Sequence, residues 1–327
     1  MRQGVGGRQL DLFASAEPEP AAELSPADEP ALRALAARVP PHVRFGTSSW
    51  TFQGWGGLVY PGKPSDRELK ERGLELYARY PLFRTVGIDR SYYRPLDAPT
   101  LQRYAAQLPP DFRCVSKVWS GVTAAVDART REPNPGFLDA ALFESAVLRP
   151  MAEHFAGHAG PFVFELSPLR RRELPRPGVF EKKLDAFLAA LPRDFSYAVE
   201  LRNRELFTHA YLDVLGNRGV GHVLSLWERM PSVGEQLDVP DVLTAPFVVS
   251  RLLIPPGERY AARKRDLAPF DRIVDPQNEM RADIVRLSEA CALLGKVLFV
   301  IVNNKAEGSS PLTIRALAER LAEPGDG

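Results

Sequence analysis

SYAVELRN, residues 196–203, places bulky apolar side chains at alternate positions, Tyr197, Val199 and Leu201, with Ser196, Ala198, Glu200 and Arg202 between them. A period of two belongs to a β-strand with two unlike faces. The bulky set suits packing against helices. The other set fits a narrow interior, and its charge gathers at the C-terminal end. PFVFEL, residues 161–166, repeats the design: Phe162, Phe164 and Leu166 on one face, Val163 and Glu165 on the other. In FRTVGID, residues 83–89, Asp89 shares a face with Thr85 and Gly87.

Further strand-like runs lie on either side: VRFGTS (43–48), FRCVSK (112–117), VGHVLSL (220–226), PFVVSRL (246–252) and VLFVIVNN (297–304). Amphipathic helical stretches alternate with them, most clearly at 66–80, 137–155, 179–191, 281–294 and 313–321. The stretch after the sixth strand, between Pro231 and Pro240, is poorly defined as a helix. Eight strands, each followed by a crossover, predict an α/β fold of the (β/α)8 TIM-type barrel class. An open doubly wound sheet competes less well, because no Gly-rich phosphate loop follows the first strand.

Active sites of such barrels sit at the C-terminal ends of the strands. There the chain carries Trp50, Asp89, Tyr93, Lys117, Glu165, Glu200, Arg202, Arg251, Asn303 and Asn304. Two carboxylates near cations can divide acid and base roles, and a lysine among apolar walls can act as base or nucleophile. Lys117, Glu165 and Glu200 are therefore the catalytic candidates. Arg202 and Arg251 are candidate anion clamps, Trp50 and Tyr93 stacking walls, and Asp89, Asn303 and Asn304 further substrate contacts. A structural ring of ion pairs explains the same charges. Two basic clusters, Arg170–Arg172 and Arg263–Arg265, fall on expected mouth loops where phosphate could be met.

The 327 residues are 45% hydrophobic, enough for a large core. A formal net charge of +1 gives no global pull toward nucleic acid or an anionic membrane. Two cysteines, Cys114 and Cys291, make no disulfide framework. No apolar run has the length of a membrane span, and no apolar core of a signal peptide is present, so a soluble cytoplasmic protein is expected. His154 and His158 are spaced i, i+4 on an expected helix, a geometry that can bind metal, but no third ligand is near in sequence. No metal and no cofactor are expected.

FGTSSWTFQGWGGLVYP, RTVGIDRSYYR, FRCVSK, FVFELSP, AVELRNREL and VNNK, taken together and in this order, resemble the family catalogued as domain of unknown function 72 (YecE-like). The resemblance runs from about Val43 to Leu321 and implies a TIM-type barrel; it implies no activity. Gly46, Trp50, Trp55, Tyr93, Lys117, Glu200, Arg202, Asn303 and Asn304 stand where the family pattern has the same residue types. The chain departs from that pattern at Gly87-Ile88-Asp89 (usually Glu-x-Asn), Glu165 (usually Gln), Asn203 (usually His) and near Ala124 (usually His).

Residues 1–41 are rich in Ala, Pro, Glu and Gly and are read as a tail, disordered over 1–28, with a short helix near 30–38. The barrel is expected over 42–322, with a flexible C-terminus at 323–327. Within the tail, Gln9, Leu10, Asp11, Leu12 and Phe13 resemble the peptide by which bacterial replication and repair proteins dock on the DNA polymerase sliding clamp. At average residue frequencies, a chance match in such a chain has odds of about one in a thousand. A Pro-rich tether suits a docking peptide. The function expected first is a hydrolase or lyase acting on nucleic acid, a nucleotide or another phosphate-bearing substrate, recruited by the clamp. A non-catalytic binding or adaptor module using the same mouth is the second reading. A carbohydrate-processing barrel with paired Glu is the third, and it requires an open cleft between the carboxyl groups.

Overall fold

The structure is a computed structural model, and it describes residues 29–323. Its strands are β1 (Val43–Thr47), β2 (Gly87–Ile88), β3 (Cys114–Lys117), β4 (Ala159–Glu165), β5 (Tyr197–Glu200), β6 (Gly221–Leu226), β7 (Phe247–Leu252) and β8 (Val297–Val302). All pair in parallel, in the order β1-β8-β7-β6-β5-β4-β3-β2. Helices between the strands cover the outside. The result is a TIM-type α/β barrel, as the strand rhythm predicts.

No ladder joins β1 to β2. There the backbone N–H groups of Arg84 and Thr85 both donate to the Phe45 carbonyl, at 2.9 and 3.2 Å. Gly46 permits the approach: a Cβ at this position would lie 2.1 Å from the Thr85 carbonyl oxygen. The helix Asp66–Ala78 completes the seam. It starts at a capping box, in which Ser65 Oγ accepts from the Glu68 N–H at 3.2 Å and the Ser65 N–H donates to the Glu68 carboxylate at 2.7 Å. Its apolar face carries Leu69, Leu74 and Tyr77 inward. The fully buried Tyr77 hydroxyl accepts from the Thr47 N–H (2.8 Å) and donates to the Thr85 carbonyl (3.1 Å). One side chain thus satisfies groups on both sides of the gap.

Strand parity separates two cores. Val115, Val163, Ala198, Val223, Val249, Phe299 and Ile301 fill the barrel interior. Phe162, Phe164, Tyr197, Val199 and Leu201 belong to the larger core between sheet and helices. Interior-facing residues alternate with helix-facing ones on each strand, as layered barrel packing requires.

Two expectations are corrected, and a third is refined. Composition placed residues 29–41 in the tail, but the helix Glu29–Arg38 buries Leu32 and Ala36 in the main core. The folded body therefore begins before residue 42. The helix expected over 137–155 runs continuously over 140–154 and carries a π-turn at Glu144–Leu148 between Ala140–Phe143 and Arg149–His154. Pro150 lacks an N–H to continue the ladder, which accounts for part of this irregularity. His158 lies in a separate 3-10 turn beyond that helix, so His154 and His158 do not share a helical face. The proposed disorder of 1–28, the docking peptide at 9–13 and the C-terminal residues 324–327 lie outside the described residues.

Candidate functional site

Two positions beyond the apolar interior layer, the same strand faces present polar groups, four of them charged. Val115 is followed by Lys117, Val163 by Glu165, Ala198 by Glu200, Val223 by Ser225 and Val249 by Arg251. The β4–β5 register sets Glu165 directly beside Glu200. Like charges in that relation repel, so cations between them are required.

Arg251 and Arg202 supply these cations. Arg251 is 1% exposed. Its Nη1 donates to Glu165 (3.0 Å) and Glu200 (2.5 Å), and its Nη2 donates to both oxygens of Asp89 at 2.9 Å. Arg202 Nη2 lies 2.5 Å from Glu165 and 2.8 Å from Glu200. Its guanidinium carbon sits 3.9 Å from the ring centre of Trp227. Lys117 Nζ is 2.8 Å from Glu165 and 4.1 Å from the ring centre of Tyr92. Tyr92 and Ser167 share a hydroxyl–hydroxyl hydrogen bond of 2.6 Å. Three carboxylates, Asp89, Glu165 and Glu200, thus meet three cations, Lys117, Arg202 and Arg251.

Burial opposes ionisation of Glu165, but the combined attraction of Arg202, Lys117 and Arg251 overcomes it and holds the carboxyl well below the usual carboxylate range. For Arg251, burial works against the charge, while Asp89, Glu200 and Glu165 outweigh it and raise its pKa. Burial raises the Tyr92 phenol. Glu165 therefore stays ionised at neutral pH and is poorly suited to be a general acid. Two guanidiniums occupy the space between Glu165 and Glu200, where a carbohydrate reading needs an open cleft. Among the described residues no group of three His, Cys, Asp or Glu is placed to hold a metal ion.

The family described as "Protein of unknown function DUF72" matches residues 44–327. The chain belongs to the DUF72 family. The barrel is similar to that of a DUF72 protein from Enterococcus faecalis, with 18% identity, TM-score 0.60 and coverage of 87% of this chain and 97% of that one. It is similar to the same degree to a DUF72 protein from Thermotoga maritima, with 18% identity, TM-score 0.60 and coverage of 86% and 99%. At this identity the likeness concerns the fold. No curated protein matches the chain.

In this DUF72 chain, not every candidate reaches the mouth. The polypeptide leaves β1 at Thr47 and bends, which carries Trp50 into the helix layer. There it is 6% exposed and meets Tyr104 edge-on at 5.0 Å, so it offers the mouth no stacking wall. Asn304 accepts from Trp55 Nε1 (3.3 Å) and from the N–H (2.9 Å) and hydroxyl (2.7 Å) of Ser310; it fixes the start of the last helix. Asn303 instead accepts from the backbone N–H (3.0 Å) and Nζ (3.3 Å) of Lys305. Tyr93 is 78% exposed at the rim, and its neighbour Tyr92 covers Lys117. Tyr92 and Trp227 lie at strand ends that the sequence marks, but no local pattern tells which aromatic turns inward.

The two basic clusters also part company. Arg263 is buried, paired with Asp275 and donating to the Lys305 and Ala306 carbonyls, so it holds two loops together. Arg265 pairs with Asp266. Arg170, Arg171 and Arg172, by contrast, are exposed, as is Arg176, and none is in an ion pair among the described residues. Glu173 shapes their loop by accepting from the Arg170 N–H (2.8 Å) and pairing with Arg131. Asn203 anchors the same loop, accepting from the Leu169 N–H (2.7 Å) and donating to the Leu169 carbonyl (3.1 Å).

Proposed function

We propose that this DUF72 barrel recognises a phosphate-bearing ligand, a nucleotide or nucleic acid, at its C-terminal mouth, and that the peptide Gln9–Phe13 brings it to DNA by docking on the bacterial sliding clamp. The observation that carries the reading is the division of charge at the mouth. The central carboxylates and cations are paired chiefly with one another, while the exposed arginines of the loop after β4 remain free to meet phosphate. Such a paired set is a rigid floor. It disfavours the division of acid and base roles between Glu165 and Glu200 that a hydrolase or lyase would need, so recognition ranks ahead of catalysis.

Binding of a fluorescent oligo(dT) by the full chain, measured by polarisation across a range of salt, tests the barrel. Arg170→Ala/Arg171→Ala/Arg172→Ala should weaken binding and lower the slope of log affinity against log salt by about 2, near 0.7 per lost single-strand phosphate contact. An unchanged slope removes the loop from the account. For the tail, titration with purified sliding clamp should give about micromolar affinity, abolished in Leu12→Ala/Phe13→Ala. Equal signals from wild type and variant end the clamp proposal.

A further inference from the structure

Beside the ionic floor lies a pocket of about 120 Å³ between the loops after β3, β4 and β5. Its walls are largely apolar, with Phe137, Leu166, Leu169 and Phe180 among them. Two lining side chains are polar, more than nine-tenths buried and incompletely partnered: the Thr123 hydroxyl, on a residue 0% exposed, and Nη1 of Arg202, 4% exposed. Buried polar atoms without partners are rare and costly. Two of them on one largely apolar pocket, whose lining also includes Ser167, Glu173, Lys183 and Asn203, point to a ligand with polar atoms at its edge. The size is on the order of a single ring: an enclosed cavity of about 150 Å³ accepts benzene, and this smaller pocket is open to solvent on one side.

The charge outside the pocket supplies the rest of the ligand. Leu169, Glu173 and Pro175 line it, and the exposed Arg170–Arg172 lie on the loop these residues bracket. A flat ring inside and a phosphate outside make a nucleotide unit. We infer that this pocket is a base subsite, which takes the single-ring base of a pyrimidine nucleotide with its polar edge toward Thr123 and Arg202 and its phosphate toward Arg170–Arg172. The inference rests on the phosphate-binding reading and adds a base to it. Arg202 belongs to both places: its Nη2 is held by Glu165 and Glu200, and its plane is held by Trp227. The ionic floor thereby fixes the donor that reads the base. The nucleotide can be free or part of a single strand.

Calorimetry on the full chain with dTMP, dAMP, deoxyribose 5-phosphate and an eight-residue oligo(dT) tests this. Val179 lines the pocket and is 56% exposed, so Val179→Trp can fill the space without disturbing the core. The expected result is dTMP binding that falls by about tenfold or more in Val179→Trp, roughly 1.4 kcal/mol. Thr123→Val should lose about three- to tenfold in affinity, the range of one hydrogen bond. Its melting temperature should stay equal or rise, because the free protein gives that hydroxyl no partner. Tighter binding of oligo(dT) than of dTMP would identify the strand as the source; equal binding per site would identify the free nucleotide. If deoxyribose 5-phosphate or dAMP binds as well as dTMP, the base subsite is wrong. If both variants bind dTMP like wild type, the subsite is wrong and phosphate recognition stands. If neither dTMP nor oligo(dT) binds the wild type at millimolar concentration, both readings fall.

Discussion

Arg251 on β7 and Asp89 after β2 lie 162 residues apart in the chain and meet across the barrel mouth through two hydrogen bonds of 2.9 Å, both from one guanidinium nitrogen. The other terminal nitrogen of Arg251 holds Glu165 and Glu200, so one buried cation ties three carboxylates from three strand ends.

Arg251→Met should destabilise the protein by about 3–5 kcal/mol, because removing one partner leaves buried charge unmatched. Arg202 still bridges Glu165 and Glu200, which places the expected loss nearer the lower figure. Urea denaturation at neutral pH measures it. A loss within about 0.5 kcal/mol, the scatter of ordinary surface substitutions, would mean that the set contributes little to folding.

The depressed pKa of Glu165 has a definite sign. Unfolded, the carboxyl titrates near its ordinary value of 4.5; folded, it titrates lower. The folded state therefore binds fewer protons in that interval. Its stabilising contribution is complete above pH 4.5 and is lost as the pH falls toward the folded pKa. Wild type should lose up to about 1.4 kcal/mol per pH unit from this group, and Glu165→Gln should show a correspondingly flatter acid limb. Parallel acid limbs in the two proteins would contradict the assignment.

His222 gives a second, separate pH dependence. Burial lowers its pKa from 6.5 to about 4, opposed by a hydrogen bond with Gln236. Its ring is held between the Tyr211 hydroxyl (3.0 Å) and the Gln236 side-chain oxygen (3.2 Å). The unfolded chain takes up this proton first, so stability is full above pH 6.5 and falls between pH 6.5 and 4, by about 3 kcal/mol in all. In His222→Gln the fall between pH 6.5 and 4.5 should lose the histidine's share, whatever the variant's absolute stability. Denaturation midpoints at pH 7, 5.5 and 4.5 decide it.

The β1–β2 seam should be sensitive to single atoms. Tyr77→Phe leaves the buried Thr47 N–H and Thr85 carbonyl without the hydroxyl that joins them. The expected cost is about 1–3 kcal/mol. Gly46→Ala forces a Cβ against the Thr85 backbone oxygen, with an expected cost of about 1–3 kcal/mol or more, since backbone rather than a rotamer must yield. Thermal melts that match wild type for both variants would show that the seam does not limit stability.

Much of the barrel is legible in the linear chain because β-strand parity is a local property. Tyr197, Val199 and Leu201 face the helices and Glu200 faces inward for a reason contained in eight consecutive residues, the two-residue period of an extended backbone. The same period assigns Glu165 and, once Val249 is placed inside, Arg251. Other features depend on contacts that no window of sequence holds. The bend after Thr47 decides that Trp50 joins the helix layer, a π-turn interrupts the regular ladder of one expected helix, and the tail helix at 29–38 joins the core through Leu32 and Ala36.

The amino-acid sequence by itself determined the alternation of strands and helices, the inward charges at the strand ends and the five-residue peptide in the tail, because each rests on spacing along one stretch of chain. The tertiary structure decided which charges neutralise which, that Arg263 is a structural strut while Arg170–Arg172 stay free, and that Thr123 and Arg202 line one pocket. Pairing depends on distances between segments as far apart as Asp89 and Arg251, and those distances exist only once the sheet has curled and the loops have settled on its rim.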